Sequence, residues 1–546
     1  MTEQNVLDRY NQVYELLQKR KLGSSIEMLE GILSQANNWS LVSELEGYKS
    51  NYSYMLKYMK EGIIDSNHSE MFNRIIFNVW TIANKAKLSE LDHCSIKLYH
   101  KLTKDSLAFN DILFTSQQLI TNLEKFYTLA VSHTENKEEI SETDISLHEE
   151  TARALFKVTW LNRHWSNEEK EYARRIVYSD NILTEDKVLF VSAVMLSTID
   201  CFDLTKAMFI VEMYKHQNIE ISQRAVVALI IILHTHHKQL RFCKQLTVAV
   251  SDLCNQDEFR QDFETAYKQL LQQQDTEEIS RKMREEIIPE VMKSTSKLSK
   301  NMGSMDFLSS ETEEDISSLF DDDDNNEFKN TIKEIEELQT EGADVNMGTF
   351  THLRGFPFFK NMYNWFYPFS FTKREVYTDI KNHSDSFKSK LKFLMSMSVF
   401  CDIDKYSFFF ITNQIPADQQ ENMFIGLANG KEMSVDTEEF EEFLGKQGFK
   451  GGKKNVVKCY LQDLYRFVKQ YSFGKEFTNI FNETVELYNL DYLSNILFDT
   501  KSLMLISNFY FKKKRWTEYI SISAKIIERL NEAEISASFY KKLGYA

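Results

Sequence analysis

Apolar residues recur every three to four positions from Val6 through Tyr10, Val13 and Leu17, and the same spacing continues to about Val131. That period draws one apolar stripe along a helix, so residues 1–132 read as a series of amphipathic α-helices. Gly23 and the pair Asn37 and Asn38 interrupt the stripe, which predicts helical hairpins joined by short turns. The polar stretch HTENKEEISETD (His133–Asp144) has no such period and predicts an exposed linker over residues 133–146.

Between Leu147 and about Ser296 the helices become more apolar. LFVSAVMLS (Leu189–Ser197) and RAVVALIIIL (Arg224–Leu233) lie about 35 residues apart, and each precedes an amphipathic helix, LTKAMFIVEMY and LRFCKQLTVAV. Helix pairs of this kind cannot bury their faces alone; they stack into a continuous core, as HEAT repeats do. Residues 147–296 are therefore expected to form HEAT-like pairs.

Residues 297–347 break the composition. From Asp306 to Asp344 fifteen acidic residues stand against Lys329 and Lys333, a net −13 out of −16 for the whole chain. Such a segment repels itself and buries too little to offset chain entropy, so it reads as a disordered acidic linker. The run DDDDNNEFKNTI lacks the central Gly and closing Glu of a calcium loop, which favours solvated charge over a cation site. The rest of the chain is nearly neutral, and without a positive surface nucleic-acid binding is disfavoured.

GTFTHLRGFPFFKNMYNWFYPFSF (348–371) follows, with ten aromatic residues in twenty-four positions. It opens an aromatic-rich connecting segment, 348–454, in which helices are expected near Ser384–Val399 and Ala417–Leu427. A membrane foot would need flanking cations, and only Arg354 and Lys360 are present beside a strongly acidic neighbour. Two readings remain for Phe356, Phe358, Phe359, Tyr363, Trp365, Phe366, Tyr367 and Phe369: a buried seam between domains, or an exposed patch that binds a partner. The apolar area that these rings carry favours the seam. GKQGFKGGKKN (Gly445–Asn455) departs from a phosphate loop at Gln447 and Lys454 and reads as a flexible basic turn. Helical period returns over 455–546.

Composition sharpens this picture. Four prolines and sixteen glycines in 546 residues leave few breakers, as a helical chain requires. Six scattered cysteines without CxxC spacing read as thiols in a reducing compartment. The N-terminus has no apolar leader, and the longest apolar runs reach half the length of a membrane span, so a cytoplasmic location without a membrane span is expected. His234, His236 and His237 do not share one helix face, which points to a helix C-terminus with favoured imidazolium charge rather than a metal site. No nucleophile, metal or cofactor motif is present, so neither a catalytic residue nor a cofactor is expected.

LMLISNFYFKKKRWTEYISISAKIIERLNE (Leu503–Glu532) resembles a tetratricopeptide repeat, with Tyr510 late in its first helix and Trp516 opening its second. FYKKLGYA then places Tyr540, Leu543 and Gly544 at the spacing of a following first helix. Lys514 stands where the pattern has an inter-helix Gly. REEIIPEV (Arg284–Val291), LQTEGADVNMGTFTHLRGFPFFKNMYNWFYPF (Leu338–Phe369) and YLQDLYRF (Tyr460–Phe467) together are similar to a family of uncharacterised bacterial proteins of tetratricopeptide-repeat type, a resemblance that implies an architecture and no activity. The expected fold is all-α: a right-handed superhelix of stacked hairpins, tetratricopeptide- or HEAT-like, interrupted by the acidic linker. The expected function is a non-catalytic scaffold for a protein or peptide. The alternative is a helical module of a larger effector or enzyme whose active domain lies beyond Ala546, since 455–546 reads as repeats truncated within a first helix.

Overall fold

Val6, Tyr10, Val13 and Leu17 all lie on the buried face of α1 (Glu3–Gln18), whose start is fixed by the Thr2 hydroxyl accepting the Asn5 N–H. α2 (Leu22–Gln35), α3 (Trp39–Lys60) and α4 (His68–Cys94) follow, and Ile26, Leu29, Leu45, Ile76 and Val79 share one core with α1. The turn from α1 to α2 is made by Arg20 at φ 58°, not by Gly23, which sits inside α2. Its N–H bonds the Leu17 carbonyl and the Lys21 N–H bonds Leu16, the paired hydrogen bonds of a left-handed helix cap. Asn37, at φ 54°, repeats that cap after α2.

This computed structural model describes residues 2–62, 66–109, 115–136, 139–282, 285, 344, 355–381, 383, 385–396, 400–414, 452–530 and 536–546. Within them regular structure is helical throughout, in 23 α-helices and no strand, packed helix on helix as a helical solenoid packs. The acidic span 297–347, except Asp344, lies outside the described residues, as does the helix expected at Ala417–Leu427.

Two compact units cut across the six consecutive segments read from composition. The first comprises Met1–Thr265, Phe366–Tyr377 and Thr484–Ala546; the second comprises Ala266–Trp365 and Thr378–Glu483. The first continues through α5 (Leu98–Phe109), α6 (Ser116–Asn136), α7 (Glu142–Leu161), α8 (Asn167–Tyr178), α9 (Thr184–Asp200), α10 (Leu204–Met213) and α11 (Ile219–Thr235). The expected linker at 133–146 is largely helix: α6 runs to Asn136 and α7 begins at Glu142. Its polar residues cap rather than dangle, since the Ser141 hydroxyl accepts the Asp144 N–H. The repeated apolar runs form α9 and α11, buried on nearly every side and packed on each other. α12 (His237–Leu240), α13 (Lys244–Cys254) and α14 (Asp257–Gln273) come next, and α14 leads into the second unit.

That unit holds α15 (Thr276–Lys282), two 3-10 turns at Pro357–Lys360 and Met362–Trp365, the end of α16 (Arg374–Ile380), then α17 (Asp385–Ser396), α18 (Asp402–Asn413) and α19 (Lys453–Gln470). The expected basic turn stops at Gly452, where α19 starts. The chain re-enters the first unit with α20 (Asp491–Leu497), α21 (Thr500–Lys512), α22 (Trp516–Arg529) and α23 (Ala537–Tyr545). α21 and α22 form a hairpin around buried Tyr510, Tyr519 and Ile522. A Cβ at Gly544 would meet nothing within 4 Å, so close helix approach is not what places a glycine there.

Lys514 turns the α21/α22 hairpin at φ 56° and bonds as Arg20 and Asn37 do. A side chain in that conformation carries about 1–2 kcal/mol of strain, part of which glycine would return as lost chain entropy. Lys514→Gly is expected to stabilise the first unit by about 0.5–1 kcal/mol and Lys514→Val to destabilise it, measured by denaturant unfolding.

Candidate functional site

The aromatic stretch is apportioned between two interiors. In the second unit Phe358 packs on Tyr406 and Phe410 of α18, with ring centroids 4.5 and 5.2 Å apart, and half-buried Phe356 also meets Phe410. Trp365 lies against Phe359, Phe467 and Tyr471 and donates its indole N–H to the Phe359 carbonyl at 3.0 Å. Tyr363 is buried in the same unit. In the first unit Phe366 stacks on Phe156 at 5.4 Å, Tyr367 is buried, and Phe369 is half-buried against Phe371. None of the eight lies open to solvent.

Charge is buried beside these rings. In the second unit the Arg466 guanidinium, on α19, is shared by Asp404 (2.7 and 2.8 Å) and Asp344 (2.7 and 3.1 Å), all three inaccessible to water. Asp463, one turn before Arg466, accepts the Ile403 N–H at 2.9 Å and so caps α18 from a neighbouring helix. One guanidinium cannot compensate this many carboxylates. Burial, with Asp344 opposing Arg466, holds Asp404 at about 6; burial and the nearby Asp402 push Asp463 up to about 7.

The first unit uses the same device to seat residues 366–377. Tyr367 donates to Asp186 at 3.1 Å, the His148 imidazole faces both oxygens of that carboxylate at 3.0 and 3.1 Å, and Phe126 stacks on the imidazole at 3.8 Å. Lys373 donates to Glu149 at 2.8 Å, and Tyr377 accepts the Ile140 N–H at 3.0 Å. A third cluster surrounds the C-terminal end of α9. Arg163 makes a two-pronged bond to Asp92, Trp160 donates to Asp200 at 2.7 Å, and Lys206 donates to Ser197 and to the Asn162 carbonyl. Burial lifts Asp200 to about 6 and lowers Lys206 to about 8. The histidine cluster sits at the end of α11 as expected, but burial drives His236 down to about 4, so it is a neutral donor to the Thr198 carbonyl rather than an imidazolium. The Arg466 and Asp186 clusters are closed to solvent, the Arg163 cluster is partly buried, and all three are positioned to hold helices together.

The open site is elsewhere, in the groove between α3 and α4. Tyr48, Asn51, Tyr54, Met55, Tyr58 and Met59 line it from α3, and His68, Met71, Arg74, Ile75 and Asn78 from α4, around a cavity of about 640 Å³. That volume is within the range of ligand pockets. Tyr54, Tyr58 and Met59 are 62%, 53% and 52% exposed, and Met71 adds to the same patch from α4. Large apolar side chains grouped on a hairpin surface mark an interaction site. The signal was present in YKSNYSYMLKYMK (Tyr48–Lys60), where aromatic residues fall on more than one helix face; a stripe count that looks only for the core passes over it.

Among the described residues no group of three or more His, Cys, Asp or Glu side chains is placed to hold a metal, and no helix is long and apolar enough to cross a membrane. No known family model matches this chain, and comparison with curated proteins and with solved structures finds no match.

Two outcomes test the buried sites. Trp365→Ala should destabilise the second unit by about 3–5 kcal/mol, as truncation of a fully packed indole does. Asp404 and Asp463 bind protons more tightly folded than unfolded, so their contribution is complete below the ordinary aspartate range and is lost as pH rises through about 6 to 7. Amide exchange over Val456–Val468, corrected for intrinsic rates, should accelerate from pH 5 to pH 8, and Asp463→Asn should flatten that dependence. Asp92 in the first unit has the opposite sign: the His100 and Arg163 bonds outweigh burial and lower it, so its contribution is lost on acidification.

Proposed function

We propose that the chain is a non-catalytic, cytoplasmic helical-repeat scaffold that binds a protein or peptide in the α3/α4 groove. The observation that carries this reading is the exposure of Tyr54, Tyr58, Met59 and Met71 around an open cavity, while Leu45, Ile76 and Val79 of the same two helices are buried. Tyrosine and methionine suit such a role. Tyrosine brings rigid contact area with a polar tip, and methionine adapts to the shape placed against it.

The titratable clusters support the non-catalytic part. Asp404, Asp463 and Arg466 are sealed from water, as are Asp186 and His148, and their hydrogen bonds are spent on capping helices and seating chain segments. Six free thiols, with four of them buried, suit a reducing compartment. The α21/α22 hairpin turns at the position where the tetratricopeptide pattern turns, which supports that kind of repeat at the C-terminal side.

The double variant Tyr58→Ala, Met59→Glu removes exposed side chains and should leave the melting temperature within about 2 °C of the parent, since surface changes stay within about 0.5 kcal/mol. Proximity crosslinking followed by mass spectrometry should recover a set of proteins with the parent chain and lose that set with the variant. Identical profiles would remove the groove from the function.

A further inference from the structure

The groove is not electrically neutral. Arg74 is the one formally charged side chain among Lys, Arg, Asp and Glu that lines it, and it is exposed. It makes no hydrogen bond or ion pair with the described residues. Its acidic neighbours on the hairpin are engaged elsewhere: Glu70 pairs with Lys244, Glu61 lies 4.0 Å from Lys57, and Glu44 pairs with Lys85. Lys60, in the last turn of α3, makes no ion pair with the described residues. Arg74 is thus the one such charge that lines the groove, and it is positive. At its loop end His68 has a buried Nε2 without a hydrogen-bond partner among the described residues.

The geometry also sets a length. Lining residues step along α3 from Tyr48 to Met59 and along α4 from His68 to Asn78 at intervals of three to four. Eleven or so residues at about 1.5 Å each make a trough of roughly 16 Å, the length of three helical turns. Its apolar part, Tyr54, Tyr58, Met59 and Met71, lies toward the α3/α4 loop, and Arg74 lies one turn further along α4, where its charge acts on Tyr48.

We infer that the occupant of the groove is an acidic amphipathic helical peptide of about three turns, whose large apolar side chains enter between Tyr58, Met59 and Met71 and whose carboxylate, one turn away, pairs with Arg74. This inference rests on the groove being the binding site. The guanidinium selects a carboxylate because it offers a planar fork of donors and has no acceptor among the described residues. Apolar anchors spaced three or four apart on the peptide match the spacing of the trough, which is how a helix lies in a groove. A basic peptide would instead meet uncompensated positive charge.

The test lets the chain choose. A displayed library of randomised 16-residue peptides is selected on the full-length protein, and binders are kept only if Tyr58→Ala, Met59→Glu abolishes their capture. Enrichment of Asp or Glu one turn from a pair of large apolar residues is the expected result. For the leading peptide, Glu→Gln should weaken binding roughly 5- to 20-fold, Arg74→Gln should weaken it by a similar factor, and the two changes together should cost little more than either alone. Arg74→Glu should shift selection toward Lys and Arg in that position. Groove-dependent binders without acidic enrichment, or an Arg74→Gln variant that binds equally well, would overturn the inference while leaving the groove as a binding site. Absence of any groove-dependent binder would overturn both. Self-association that Tyr58→Ala, Met59→Glu abolishes would make a second copy of this chain the occupant and overturn the acidic peptide.

Discussion

A charge taken out of water has to find its counterpart, and in this protein the counterpart comes from far along the chain. Asp186 and Glu149 sit in the helical interior of the first unit, where an unpaired carboxylate would cost several kcal/mol. Their partners Tyr367 and Lys373 arrive 181 and 224 residues later. In the second unit Arg466 reaches back 122 residues to Asp344 and 62 to Asp404. Each of these links is short, buried and specific in geometry, so each fixes which remote segment covers which helix. Apolar burial supplies most of the driving force, but it is non-directional. The ionic and hydroxyl contacts set the register.

This explains why the aromatic stretch is so rich. Between Phe356 and Phe371 it must satisfy two interiors in turn, the α18/α19 core of the second unit and the α7/α9 face of the first. Phe358, Phe359, Tyr363 and Trp365 serve the former; Phe366 and Tyr367 serve the latter. Pro357 starts one short turn and Pro368 keeps the chain irregular after the second, so the rings are presented in different directions rather than along one helix stripe.

Much of the helical order was legible. Val6 to Leu17, the apolar runs of α9 and α11, and the Tyr510 to Trp516 hairpin all carry a period that survives in the structure, because local spacing and helix geometry are the same fact. Turn chemistry was less legible. Arg20 and Lys514 occupy left-handed positions where glycine would be read, since paired hydrogen bonds to the preceding helix offset their strain. Asn37, which the pattern did mark, is a residue that tolerates that conformation. The pairs Asp344 with Arg466 and Asp186 with Tyr367 left no local trace. The groove left only the spread of aromatic residues over more than one face of Tyr48–Lys60, because Tyr54, Tyr58 and Met59 otherwise differ from core residues only in what fails to cover them.

The segment that carries Tyr367 and Lys373 also gives the polypeptide a history. At roughly 5–20 residues per second of synthesis, the 181 residues between Asp186 and Tyr367 take about 9 to 36 seconds to emerge. Helices α1 to α11 form and pack far faster than that. A first unit that packs as it emerges would hold Asp186 and Glu149 in an unfilled slot between its helices over that interval. Closure of that slot is a late event set by the ribosome's clock rather than by the intrinsic speed of helix packing, and the order of the gene thereby becomes part of the folding route.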